Sequence, residues 1–461
     1  MRPKNGETVY HTIHSQAMVQ YMWRYTLHMQ ATQIPASIAF DEALDFGVLA
    51  RAVNIEIARN DCLRLRIFRD GFGIKEFFLD EYRLEKIPYN EFHSKQEQEA
   101  RLDLDASTEL KVFRGETFRV RFFKTFDGKS GVYINVSHMV MDFVAVFIFF
   151  RDLMQVYDSL KNGTPMPRPM GKYEDAIRSE QNNPELEERL RKEGEILDDW
   201  VAMDGPPYFS MVNGTKTLER HRKLFHLKNL RSPFVYMPLN DATHLLKLHL
   251  STEDSEKIDA FLRENPVSPE WLFQLGLRVY LSKVNRQPND LLFWVLCPRR
   301  KTVKEKRMGG TLASPMPWRQ KLPDDMTFNE ALHALGETQR FLFRHSDTPY
   351  TTIRDSELKR FHMTLLQSAN SVMFSYLPLD EKTFDGRKYE FSGYNFGHYV
   401  MPLYSIILRE AESGQYVFSY IHRLWLTTDD EVRAFHEGTV RTLLAGVAQP
   451  DKTLGELMEE I

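Results

Sequence analysis

The residues whose types and spacing best suit chemistry are Ser137-His138-Met139-Val140-Met141-Asp142. Of the 15 histidines, His138 alone has an aspartate four residues later. An unperturbed imidazole titrates near pH ~6.5, so His138 can take a proton from an amine or alcohol near neutrality, which is the demand of acyl transfer. An aspartate on the same short loop can pin the backbone through an ion pair without touching a substrate. The spacing by itself also fits a histidine that is merely satisfied at the end of a strand.

The surrounding elements are those that would hold such a loop. Residues 131–137 (GVYINVS) alternate, with Val132, Ile134 and Val136 facing one way and Tyr133 and Asn135 the other, as in a strand. Residues 118–126 (FRVRFFKTF) read as its neighbour across the Asp127-Gly128-Lys129 turn. From Phe143 to Leu160 the chain reads as a largely buried helix. His138 therefore falls at a strand-to-helix junction, where a side chain is held rigidly with its tip in a cleft. Upstream, residues 40–60 have helical spacing, and LRLRIF reads as a short strand ending at the Asp70-Gly71 turn.

The 461 residues exceed one simple core and imply two or more domains. Prolines at 165, 167 and 169 and the charged stretch after them mark the expected division. It gives an N-terminal subdomain of residues 1–180 and a C-terminal subdomain of residues 181–461, which opens with an insertion or linker at 181–240. Beyond it lie helices around 254–285, strands at 291–297, SVMFSYLPL, YVMPLYSIIL and QYVFSYIHRLWL, and a last helix from Thr428 to Leu444 capped by Thr428 or Asp429. Strands and helices mix in both halves, which predicts α/β with mixed sheets. A net charge of −4 argues against nucleic acid as a partner. Two cysteines, Cys62 and Cys297, suit neither a multi-cysteine zinc site nor a disulfide framework. The N-terminus lacks a signal-peptide core, and the longest apolar run, Phe143–Phe150, is far short of the ~20 residues that span a bilayer. The expectation is a cytoplasmic protein with no membrane partner. No Walker loop, GxGxxG, HExxH or GxSxG occurs, so neither a metal nor a tightly bound cofactor is expected.

The wider context carries a family resemblance. VYINVSHMVMDFVAVFIFFRDLMQVYDSL resembles the strand–HHxxxDG–helix segment of the condensation domains of nonribosomal peptide synthetases. RNDCLRLRI resembles their early RHxxLRTRF segment, VSPEWLFQLGLRVYL the helix opening their second half, and CPRRKTVKEKRMGGTLASPMPWRQKL their floor-loop region. The resemblance implies two chloramphenicol-acetyltransferase-like subdomains arranged as a V around a central tunnel. It implies that His138 is catalytic and that Asp142 is structural, paired with Arg300. The chain departs from the pattern at Ser137 (the first family histidine), Phe143 (the glycine after the aspartate) and Ser314 (the floor-loop asparagine). Those three positions, with Ser371 and Tyr376, are expected to line the tunnel. The donor implied is a phosphopantetheine thioester, borne by an acyl or peptidyl carrier protein in trans or by CoA, and the acceptor a small amine. O-acylation of an alcohol, and a non-catalytic scaffold that recruits carrier proteins, are the alternatives. Two lesser features read as ordinary structure. Asn395-Phe396-Gly397-His398-Tyr399 shares only Phe396 and Gly397 with the DFGWG segment of plant-type acyltransferases, and Arg299–Arg307 is a basic loop from which only Arg300 is carried forward.

Overall fold

The computed structural model describes residues 1–4, 6–203, 205, 209–287, 290–370, 372–378 and 384–460. Its strands, in chain order, are β1 (Val9–His11), β2 (Gln33–Phe40), β3 (Leu65–Asp70), β4 (Gly73–Phe78), β5 (Tyr89–Glu91), β6 (Phe118–Lys124), β7 (Ser130–Ser137), β8 (Thr243–His249), β9 (Asp290–Cys297), β10 (Ser314–Lys321), β11 (Val372–Leu377), β12 (Tyr389–Gly393), β13 (Leu403–Arg409) and β14 (Tyr416–Arg423). The described residues fall into two compact units, each built from separated stretches of chain. The first comprises residues 1–188, 298–313 and 381–398, and the second 189–297, 314–380 and 399–461. The contiguous division expected from the sequence, 1–180 and 181–461, thus differs from the units. Two later segments rejoin the first unit because β12 pairs with β2 and Arg300 bonds Asp142.

In the first unit a five-stranded sheet runs β12-β2-β7-β6-β5, and a three-stranded one β1-β4-β3. The five-stranded sheet is mixed, antiparallel from β12 to β6 and parallel between β6 and β5. The alternation in β7 is real, but both of its faces are covered, and every residue from Ser130 to Ser137 is buried. On one side lie Val132, Ile134 and Val136. On the other, Tyr133 packs with Leu102 of the helix Lys95–Ser107 and with Phe123. Gly131 is needed in that layer, because a Cβ there would come within 2.2 Å of the Phe123 ring on the paired strand. The helix Phe143–Asn162 follows as expected and stops at Gly163, whose φ of 68° is the left-handed stop that favours glycine.

The second unit holds one six-stranded mixed sheet, β10-β9-β11-β13-β14-β8. Its strands coincide with the four runs read from the second half plus β8 and β10. The helices Pro269–Asn285 and Asp429–Ala448 carry its apolar layer, with Leu272, Phe273, Leu277 and Phe435 fully buried. Thr428 caps the last helix through a reciprocal pairing with Glu431. The stretch expected as insertion or linker contains the helices Leu186–Ala202 and Lys216–Leu224. No helix among the described residues is long and apolar enough to cross a membrane.

Candidate active site

The loop from Ser137 to Asp142 is fixed from both ends. The Ser137 carbonyl accepts the N–H of Val140 at 2.8 Å and of Met141 at 3.2 Å, which closes a tight turn directly after β7. The side chains of Met139, Val140 and Met141 are all fully buried and anchor that turn in the core. His138 donates its backbone N–H to the Thr32 carbonyl at 2.8 Å, and its own carbonyl accepts the Thr311 hydroxyl.

Asp142 is the hub of the site. One carboxylate oxygen, Oδ1, accepts the Ala145 N–H at 2.8 Å and so caps the helix Phe143–Asn162. The other, Oδ2, accepts three bonds, from Arg300 Nη1 at 2.7 Å and from the Leu312 and Ala313 N–H groups at 2.9 Å each. Arg300 spends its second terminal nitrogen on the Gly310 carbonyl at 3.1 Å. Burial pushes the Asp142 pKa up, but the Arg300 charge and the converging donors outweigh it, so the carboxyl stays below the usual aspartate range. Asp142 is therefore an anion that joins β7, the helix after it and the segment 309–313.

That segment is held just as closely on its far side. Gly310 adopts φ +91°, and a Cβ there would come within 2.1 Å of the Tyr173 ring, so neither the conformation nor the space admits another residue. The Thr311 carbonyl accepts the hydroxyls of Ser15 at 2.6 Å and Tyr173 at 3.1 Å.

His138 itself is half-buried, with Nδ1 buried and without a well-formed hydrogen bond. Burial lowers its pKa below the ordinary histidine value, while the Asp142 charge and the residue's own carbonyl partly oppose the shift. Burial thus favours the neutral imidazole over its charged form.

A second support went unseen in the sequence. The Gln16 side-chain amide donates to the Met139 carbonyl at 3.0 Å and to Glu76 Oε2 at 2.6 Å, and its oxygen accepts the Ile13 N–H at 2.9 Å. Burial raises the Glu76 pKa to about 8 against the Gln16 hydrogen bond, which makes it a protonated acid at neutrality. No spacing links residues 16, 76 and 139, so no motif announces this network.

The remaining expected site residues are spread over both units. Ser137 is buried at the end of β7, where its hydroxyl accepts the Met139 N–H at 3.3 Å. Phe143, the first residue of its helix, packs with Phe147 and with Phe391 of β12 at ring distances of 5.7 and 5.5 Å. In the second unit, Ser314 opens β10 opposite Cys297, and Tyr376 on β11 stacks on Phe273 at 5.9 Å. Ser371 lies outside the described residues. The Asn395–Tyr399 stretch is a turn in which the Asn395 side chain accepts the Gly397 N–H at 3.0 Å, and His398 stacks on His28. Within the basic loop, Lys304 pairs with Asp175 and Arg307 donates to the Arg168 carbonyl.

Comparison with known proteins finds a family match over part of the chain. Residues 7–194 match the family model of the condensation domain. The likeness of fold runs further: the first condensation domain of the calcium-dependent antibiotic synthetase, solved with a substrate analogue, superposes with a TM-score of 0.81 at 16% identity, covering 98% of this chain and 99% of that one. Residues 7–194 thus carry the condensation-domain match, and nearly the whole chain shares the fold of solved condensation domains. Among curated relatives, a plipastatin synthase polypeptide of Bacillus subtilis (strain 168) is 20% identical over 98% of the chain, and a surfactin synthase polypeptide of the same organism 23% identical over 98%. The chain spans only 17% and 12% of the length of those two proteins. A starter condensation domain of rhizomide synthetase, solved with C8-CoA, also has this fold, with a TM-score of 0.79 at 14% identity over 97% of each chain. Condensation domains serve nonribosomal peptide synthesis, and the family's chemistry is acyl transfer from thioesters.

Proposed function

We propose that this condensation-domain protein moves an acyl or aminoacyl group from a phosphopantetheine thioester to an amine, with His138 as the catalytic base. The amine nitrogen attacks the thioester carbonyl, the C–N bond forms, and the C–S bond breaks. His138 takes the proton that the nitrogen sheds and returns it to the departing thiolate, so that amide and free thiol are the products. Asp142 and Arg300 do not touch substrate in this reading; they hold the loop.

The observation that carries the proposal is the state of His138, a neutral, half-buried imidazole on a loop whose backbone is fixed at residues 138, 139 and 142. Support for the donor and acceptor classes comes from a relative. A rhizomide starter condensation domain of the same fold, with a TM-score of 0.77 at 13% identity, was solved with both C8-CoA and Leu-SNAC, an acyl thioester beside an aminoacyl one. That pairing favours N-acylation over O-acylation, and makes CoA and a carrier protein alternative bearers of the same donor group.

The test is an intact-mass assay of wild type and His138→Ala with acyl-loaded carrier protein or acyl-CoAs, plus pooled amines and alcohols. The expected result is an amide product lost by at least 10²-fold in the variant, the lower end of what positioned general base catalysis supplies at about 10²–10⁴. An ester product instead of an amide would turn the reading to O-acyl transfer. Absence of any product from wild type, with carrier protein still bound, would replace catalysis with recruitment.

A further inference from the structure

The second unit brings together three side chains that the acyl-transfer chemistry does not use. On β8 and β14, His244 and His422 sit directly opposite each other in the antiparallel register. Opposed residues in such a pair project from the same face of the sheet. The helix Asp429–Ala448 begins beside them, and the carboxylate of its first residue reaches both rings, at 2.9 Å from His244 Nδ1 and 3.0 Å from His422 Nε2. The three ligand atoms lie within 4.8 Å of one another.

We propose that His244, His422 and Asp429 form a binding site for a divalent transition metal, zinc in the first instance, which staples β8 and β14 to the last long helix. Two imidazole nitrogens and one carboxylate oxygen are a donor set that zinc takes readily, with water filling the fourth position. Ligand atoms ~2.0–2.2 Å from zinc stand about 3.3 Å apart along a tetrahedral edge, so the carboxylate–imidazole separations here need open only slightly.

The surroundings suit the purpose. The His422 side chain is fully buried, and Thr427 Oγ1 occupies its Nδ1 at 3.0 Å, which directs Nε2 toward Asp429. Such an outer partner fixes the orientation of a metal-bound imidazole. His244 and Asp429 are 48% and 39% exposed, which gives an ion a path from solvent and room for a retained water. β8 is the edge strand of its sheet, paired on one side only, so the ion would tie that edge to the helix. The ligands span 185 residues of sequence, which is why no motif with metal-ligand spacing marks them.

The test titrates ZnCl2 into the chelator-stripped full-length chain by isothermal calorimetry, alongside His244→Ala and Asp429→Asn. Neither substitution removes the helix cap, which Thr428 supplies. The expected result is one equivalent of zinc bound by wild type, with affinity at least tenfold weaker in each variant. Cobalt(II) should give wild type the visible absorption of a tetrahedral site, and His244→Ala should lose it. Circular dichroism establishes that the variants are folded, and if one is not, the other carries the comparison. No zinc-dependent heat in wild type, or equal affinity in wild type and the folded variants, would overturn the site; the latter would assign binding to other histidines.

Discussion

Replacing Asp142 by Asn should damage the active loop far more than replacing Arg300 by Met, although the two residues form one ion pair. Asp142→Asn keeps an oxygen for the Ala145 N–H. It puts an NH2 group where Oδ2 accepted Arg300 Nη1 at 2.7 Å and the Leu312 and Ala313 N–H groups at 2.9 Å. Three donors then face a donor. Each buried donor left unmet costs about 1–3 kcal/mol, and leaving a buried charge without its partner costs about 3–5 kcal/mol. These overlap rather than add, so a loss of about 3–5 kcal/mol is expected at this point in the fold. Arg300→Met leaves Asp142 with all three backbone donors, which lowers its penalty to about 2–3 kcal/mol. The assay is native-state hydrogen exchange at the Leu312 and Ala313 amides, because a chain of two units need not unfold in one step. At about 1.4 kcal/mol per decade, Asp142→Asn should lower protection of these amides by roughly 140–4,000-fold, and Arg300→Met by roughly 30–140-fold. Equal losses in the two variants would refute the assignment of Asp142 as a hub, since they would mean that the ion pair alone holds segment 309–313.

Two further outcomes follow from the buried acids and bases. In kcat/KM for acyl transfer, the acid limb belonging to His138 should fall below the ordinary histidine value of about 6.5, because burial lowers its pKa and the base is inactive only when protonated; a midpoint above that value would show that Asp142 dominates over burial. Glu76 is raised from 4.5 to about 8, so the folded state binds a proton that the unfolded chain has released over that interval. Its stabilising contribution is full below about pH 4.5 and is lost as pH rises to about 8. Glu76→Gln, which mimics the protonated acid, should flatten the pH dependence of melting in this window, and an unchanged slope would place the titration elsewhere.

The sequence revealed local features better than distant ones. The buried helix after His138, the alternation in β7 and the Thr428 cap each follow from residues within a few positions of one another, where period and capping chemistry act directly. The Asp142–Arg300 partnership came only from family resemblance, since nothing about residue 300 marks it as the arginine that crosses 158 positions. The Leu312 and Ala313 N–H groups at the same carboxylate were invisible, because a backbone donor has no side-chain identity to read. β12 was missed for a related reason. Its five residues gain strand structure only by pairing with β2, and their local sequence does not name that partner. The same pairing brings Phe391 to Phe143, so the phenyl group that stands in place of the family glycine has aromatic neighbours from a stretch of chain nearly 250 residues away.

The interleaving of the two units also sets a schedule for synthesis. The chain leaves the first unit near residue 188, returns for 298–313, leaves again, and returns for 381–398. At a translation rate of about 5–20 residues per second, the 171 positions between Asp142 and Ala313 take roughly 10–35 s to appear. During that interval the nascent loop carries an aspartate destined for burial, with no guanidinium and only the Ala145 amide to meet it. The first unit cannot be obtained by a single cut in the gene, because a break after residue 188 leaves it without β12 and without the segment that carries Arg300.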